Sequence, residues 1–263
     1  VRSTAIVRHK RVHHRKRRKP TGYIRIGYIL YETDSIVVIA TLKSKNRKTG
    51  RMVQVWILNR KISPIDAVHT GADAAICFDC KHRGNGFQKR TCYVNVRSPQ
   101  AIWKAYKRRR YQYLRPDQYT EAFSDKKIRF GAYGEPILIP IEIMAALTSV
   151  APGWTGYTHQ WHRPEYQACQ RYLMASCDSA RDATDAIGAG WRYFRVRSQS
   201  EAILPGEISC PASEEMGHRT TCARCQLCNG ARGESDIRKN ITLLVHGPGA
   251  KNFVPLTAIA TAA

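Results

Sequence analysis

Residues 127–158 read KIRFGAYGEPILIPIEIMAALTSVAPGWTGYT, and their periodicity decides the fold class. The first seven, 127–133, have the β-branched and aromatic composition of a strand. Residues 140–150 then place Ile141, Met144, Ala145 and Thr148 at helical spacing, and 154–158 return to strand composition. The same alternation continues downstream. Residues 164–171 read as a helix opened by Pro164 and Glu165, 172–176 as a strand, and 179–189 as a helix with Ser179 and Asp182 as a capping pair and Gly188 and Gly190 as its stop. Residues 192–196, 207–209 and 240–246 follow as strands. Repeated alternation implies a parallel sheet with right-handed crossovers. About six strands, counting one expected to enter Cys77, predict an α/β fold closing as a partial or full (β/α) barrel.

In such a barrel the residues just after each strand line the functional mouth. Here those positions hold Cys77 and Cys80, then Gly134, Glu135 and Pro136, then His159 to His162, then Cys177, Asp178 and Ser179, then Arg197 and Ser198, and finally Cys210. Polar and soft ligands are concentrated where a site is expected.

Upstream, residues 36–40 and 52–58 predict a β-hairpin. Its connection carries Lys43, Lys45, Arg47, Lys48 and Arg51, which either touch nucleic acid or form a solvated tip. Residues 98–114 predict a helix opened by Ser98 and Pro99, with Trp103, Tyr106 and Tyr113 at helical spacing. Its cationic face, with Arg108, Arg109 and Arg110 beside Tyr111, suits a phosphate backbone with an aromatic stacked on a base; core packing is the alternative for the aromatics. Four regions are expected: a disordered basic arm over 1–20, the hairpin region over 21–70, the barrel-like domain over 71–213, and a second cysteine cluster with a final strand and tail over 214–263.

The 263 residues carry 43 Lys and Arg against 20 Asp and Glu, a formal charge of +23. A polyanionic partner follows, and nucleic acid, DNA or RNA, is the commonest. Residues 1–19 concentrate nine Lys or Arg and no acid, ending in Arg15, Lys16, Arg17, Arg18 and Lys19, a run that suits phosphate binding. No apolar run resembles a signal peptide or reaches the roughly 18 residues of a membrane span, so no membrane partner is expected. Seven of the nine cysteines fall into two close-spaced groups, unlike a disulfide scaffold. Reduced thiols and a cytoplasmic protein are therefore expected.

The first group is Cys77, Cys80 and Cys92, the last returning after eleven residues that include Gly84 and Gly86. His82 lies inside this loop. It either completes a zinc site of three cysteines and one histidine or stays free, leaving an open coordination position for chemistry. The second group is Cys210, Cys222, Cys225 and Cys228. Its Cys-x2-Cys-x2-Cys core suits a cubane iron–sulfur cluster, and a four-cysteine zinc site accepts the same spacing.

The chain from Cys77 to Ser213 resembles radical S-adenosylmethionine proteins, and among them the uncharacterised phage and mobile-element proteins bearing a Cys-Tyr motif, here Cys92-Tyr93. The three-cysteine loop carries the resemblance, together with Gly134-Glu135-Pro136, which is similar to the family's Gly-Gly-Glu-Pro segment. The resemblance implies that Cys77, Cys80 and Cys92 hold a cubane cluster and that Gly134 and Glu135 help bind S-adenosylmethionine. The sequence departs from the family in its Cys-x2-Cys-x11-Cys spacing and in having Tyr133 at the first glycine.

Three functions follow. The first is an iron–sulfur enzyme acting on nucleic acid. The second is a non-catalytic, zinc-stabilised nucleic-acid-binding protein of phage or plasmid replication or packaging. The third is hydrolysis or phosphoryl transfer through His159, His162 and Asp178, although no nucleophile elbow, phosphate loop or paired-histidine metal motif accompanies them.

Overall fold

The computed structural model describes residues 26–84, 89–218, 220–233, 235–247 and 249–254. The basic arm, with Arg15 to Lys19, lies outside them, as does Gly86.

The hairpin residues begin the main sheet. Strands β1 (Gly27–Glu32), β2 (Ile36–Thr41) and β3 (Val53–Asn59) form an antiparallel meander whose apolar residues are almost all buried. Helices α1 (Pro64–Thr70) and α2 (Ala74–Cys77) follow, then α3 (Arg97–Lys107) and the short edge strand β4 (Gln112–Tyr113) beside β1. After α4 (Tyr119–Phe123), strand β5 (Ile128–Tyr133) enters parallel to β3, and α5 (Ile141–Val150) leads to β6 (Trp154–Thr155) parallel to β5.

Gly156 separates β6 from β7 (Tyr157–Thr158), where a second run of parallel strands begins. A Cβ at Gly156 would lie 2.7 Å from the Leu173 side chain, so the chain passes from the six-stranded to the five-stranded sheet this closely only around a glycine. Strand β8 (Met174–Cys177), helix α6 (Ala180–Gly188) and strand β9 (Tyr193–Arg197) continue the alternation. Strand β10 (Glu207–Ser209), the one-turn helix α7 (Cys222–Cys225) and strand β11 (Asn240–Leu244) complete the chain of elements.

The strand orders are β4-β1-β2-β3-β5-β6 and β10-β11-β9-β8-β7. The α/β class and the parallel strands therefore stand, but the barrel is corrected: among the described residues no pairing closes the sheet. The final strand inserts between β9 and β10, so β10 lies at the far edge. Cys77 is also displaced from expectation. It does not follow a strand directly but ends α2, two helices after β3.

The large hydrophobic cluster unites β1 to β3, β5 and the inner faces of α4, α5 and α6. A smaller one, containing Met174, Phe194, Ile241 and Leu243, covers the opposite face of the second run of strands. These strands are thus apolar on both faces, as parallel strands covered on both sides are. No described helix is long and apolar enough to cross a membrane.

Candidate metal centre

Both cysteine groups form on short helices that end in strained turns. Helix α2 stops at Cys77 because Phe78 adopts φ 50°, and α7 stops at Cys225 because Gln226 adopts φ 56°. Non-glycine residues with positive φ are uncommon and persist only where their surroundings hold them. Around the first turn, Arg163 lies over the Phe78 ring and pairs with Asp79 at 3.1 Å, while Gln160 donates to Asp79 at 2.8 Å. Around the second, Gln226 Nε2 donates to the Cys222 carbonyl at 2.8 Å.

His82 closes the first loop from within. Its carbonyl accepts from the Thr91 and Cys92 amides at 3.1 and 2.9 Å, and its ring nitrogens lie 2.6 Å from the Thr91 hydroxyl and 2.8 Å from Asp178. Both ring nitrogens are thereby engaged away from the thiols. The imidazole that does approach a thiol is His159, whose Nδ1 lies 3.6 Å from Cys80 Sγ.

The connection between β2 and β3, expected as a solvated or nucleic-acid-touching tip, docks on the second group. The Lys48 and Thr49 carbonyls accept from the Cys222 and Ala223 amides at 2.9 and 3.0 Å. Lys48 pairs with Glu215 at 3.6 Å, whereas Lys43, Lys45, Arg47 and Arg51 are exposed. From the other side, Arg192 donates to the Leu227, Asn229 and Lys239 carbonyls and holds the chain that follows α7.

The two groups meet at one cavity of about 140 Å³. Cys80 and Cys92 line it from the first group and Cys210, Cys222 and Cys228 from the second. Cys77 does not line the cavity; its thiol is pushed well up by burial and then by Cys80 and Cys92. Burial, followed by Cys210, Cys222 and Cys225, raises the Cys228 thiol in the same way. Each group is thus a mutual cluster of thiols, separated in sequence and brought together by the fold.

Orphaned polar atoms mark the first group as a fit for an anionic metal–thiolate centre. Tyr133, 2 % exposed, has a buried hydroxyl without a hydrogen-bond partner, and so does one terminal nitrogen of Arg90. The Tyr133 hydroxyl is raised by burial first and then by Cys77, with Cys92 adding a smaller effect. A negatively charged centre gives such donors an acceptor. No three cysteine sulfurs lie within 4.8 Å of one another; among the described residues only ligand atoms of His82, His159 and Asp178 do. One zinc ion draws its thiolates to about 3.8 Å apart, whereas a cubane, which interposes four irons, holds them wider.

Gly134 and Glu135 do not fit the cofactor role implied by the resemblance. The Glu135 carboxylate is 5 % exposed and accepts from the Thr158 hydroxyl at 2.6 Å and the His159 amide at 3.2 Å. Neither residue lines the cavity. Gly134 has φ 78°, and a Cβ there would lie 2.7 Å from the Ile57 carbonyl oxygen, which accounts for the glycine without a ligand. His162 does not join His159 and Asp178, so the hydrolytic set is not assembled. Burial opposes ionisation of both His159 and Asp178, and their neighbours oppose that effect. Cys80, Glu135 and Asp178 raise His159 well above the ordinary histidine value, and His82, His159 and Lys81 hold the Asp178 carboxyl well below the usual range.

Arg108, Arg109 and Arg110 are exposed at the end of α3. Tyr111 is instead a core residue, 7 % exposed, and the aromatic that reaches solvent beside them is Tyr113 at 62 %.

The sequence reading missed Arg129, Thr155 and Tyr157, which line the cavity from adjacent strands. A cation between Ile128 and Phe130 in an otherwise apolar strand was the available signal. Compared with known protein families, curated proteins and solved structures, the chain matches none.

Proposed function

We propose that this chain is an iron–sulfur protein of phage or mobile-element type that holds two clusters on either side of one cavity and acts on, or bound to, nucleic acid. The observation that carries the reading is the convergence of Cys80 and Cys92 with Cys210, Cys222 and Cys228 on the same cavity. A cluster with an open iron supplies one-electron chemistry when bound. The first group offers three thiols with His82 engaged elsewhere, and the second offers four. S-adenosylmethionine is not part of this reading, because neither Gly134 nor Glu135 lines the cavity, and the Glu135 carboxylate already accepts from Thr158 and His159.

The charge supports a polyanion near the cavity. Asn46, Lys48 and Thr49 line it, and Lys43, Lys45, Arg47 and Arg51 continue the same segment into solvent. With Arg108 to Arg110 they present phosphate-binding groups that release counterions on contact.

One observation favours a zinc-stabilised binder instead. The 3.6 Å between Cys80 Sγ and His159 Nδ1 is what tetrahedral zinc gives with bonds of about 2.3 and 2.0 Å, although the same nitrogen also lies 3.2 Å from the Glu135 carboxylate. Purification without oxygen, with an absorption spectrum and iron, sulfide and zinc analysis, separates the two. The proposal expects a brown protein with a band near about 400 nm. A colourless protein with about two zinc ions per chain overturns it.

A further inference from the structure

Four arginines are buried, and three of them donate to carboxylate or carbonyl oxygens, although the Nε of Arg192 and that of Arg197 have no hydrogen-bond partner. Arg195 forms a two-pronged pair with Glu207 at 2.7 and 2.8 Å, Arg192 meets three carbonyls, and Arg197 donates to the Ser198 and Glu201 carbonyls. Arg129 is different. It is 7 % exposed and opens into the cavity, its neighbours being the Tyr93 hydroxyl at 2.5 Å and the Tyr157 ring at 5.3 Å. Among the described residues no carboxylate pairs with it. A buried cation whose neighbours are two tyrosines and the Cys222 thiol, with no carboxylate, is costly, so its retention calls for an anionic partner in the cavity.

Thr155 provides an independent pointer to that partner. It stands opposite Arg129 in the parallel register of β5 and β6, so both side chains leave the same face. Thr155 is 2 % exposed, lines the cavity, and its hydroxyl has no hydrogen-bond partner. Buried hydroxyls are almost always bonded. A guanidinium and a free hydroxyl projecting together into one cavity form a cradle for an oxyanion. The remaining wall is largely apolar, with Tyr157 stacked on Phe194 at 4.8 Å and Val196, Leu243 and Val245 beyond. Lys48, across the cavity, is already paired with Glu215.

We infer that the cavity binds a small organic anion, an apolar body with a carboxylate or phosphate head, whose oxyanion is held by Arg129 and the Thr155 hydroxyl. This deepens the reading above by naming the ligand class of the cavity between the clusters, and it rests on that reading for the cavity's being the working site.

The test is calorimetric titration of the full-length, anaerobically purified protein with phenyl phosphate, benzoate and phenol, with iron and sulfide measured on every sample. Binding of at least one anion and at least tenfold weaker binding of phenol are expected; the stronger of the two anions identifies the head group. Arg129→Gln should weaken the anion at least tenfold. Thr155→Val should weaken it about threefold or more without lowering the thermal midpoint of the free protein, since it removes an unpartnered hydroxyl. Phenol binding as well as the anions, or anion binding unchanged in both variants, overturns the inference. If Arg129→Gln loses iron while Thr155→Val binds the anion unchanged, the inference is likewise overturned, and Arg129 serves as counter-charge to a cluster. Anion binding by a protein that contains no iron keeps the site and removes the cluster reading alone.

Discussion

Asp178 lies 2.8 Å from His82, which is 96 residues earlier in the chain, and this contact fastens the first cysteine loop to the end of β8. The carboxylate can only accept, so Nε2 of His82 carries the proton and Nδ1 faces the Thr91 hydroxyl. Lys81 adds a second contact at 3.1 Å. Asp178→Asn keeps the shape and removes the charge. Because Asp178 is 4 % exposed, loss of the buried pairing should lower stability by about 2–4 kcal/mol, read from urea unfolding. The loop carrying Cys80 and Cys92 should then lose metal to a chelator faster than the second group does. Equal rates at both groups would show that His82 does not brace the first.

Arg109 has φ 54° in the left-handed region, where glycine normally terminates helices. The Arg109 amide donates to the Tyr106 carbonyl and the Arg110 amide to the Ala105 carbonyl, completing a Schellman turn on α3. Arg109→Gly should therefore stabilise the protein by about 1 kcal/mol. It should also weaken oligonucleotide binding and lower the salt slope by about one if Arg109 meets a phosphate. A stabilised variant with unchanged salt dependence would place the phosphate contact elsewhere.

Much of the sheet is legible in the sequence because its strands are continuous β-branched and aromatic runs bounded by turns. Residues 127–133, 172–176, 192–196 and 207–209 match β5, β8, β9 and β10 within two residues. What escapes is long-range. Nothing local in 240–246 says that this strand inserts between β9 and β10, since pairing order is set by tertiary packing. Helix α1 escaped despite its signals: Ser63 caps it, Pro64 opens it and Gly71 closes it in the left-handed region. The metal-ligand spacing is legible as two groups, but their convergence on one cavity depends on the docking of 48–49 against 222–223, which no spacing encodes. Glu135 shows the converse. Its surroundings in sequence match a cofactor segment, yet its carboxylate serves Thr158 and His159.

Gly134 tests that last point. With φ 78° and the Ile57 carbonyl oxygen 2.7 Å from any Cβ, Gly134→Ala should cost about 2–4 kcal/mol through combined strain and overlap. The loss should be the same with and without S-adenosylmethionine in a thermal unfolding series. Stabilisation by that cofactor in the native chain, abolished in the variant, would restore the ligand role.

The loop after Cys228 supplies a pH test independent of the metal ligands. Asp236, with a side chain 6 % exposed, accepts from Arg238 Nε at 2.7 Å and from the Arg232 amide at 3.0 Å, with Arg192 Nε at 3.9 Å. The Arg238 hydrogen bond first, against the opposing effect of burial, holds its carboxyl well below the usual carboxylate range, with the Arg232 and Arg238 amides adding to it. An unfolded aspartate ionises near about pH 3.9. The stabilisation is therefore whole above that pH and disappears as the pH falls through the lower folded value. At pH 7 Asp236→Asn should be about 2 kcal/mol less stable than the native chain, and the gap should narrow steadily below about pH 4. Urea midpoints of both proteins at pH 7, 5, 4 and 3 measure it. A gap that stays constant across that series would mean that Asp236 titrates alike folded and unfolded, and that Arg238 braces the loop through the Gly230 carbonyl and the Asn229 side chain, to which it also donates.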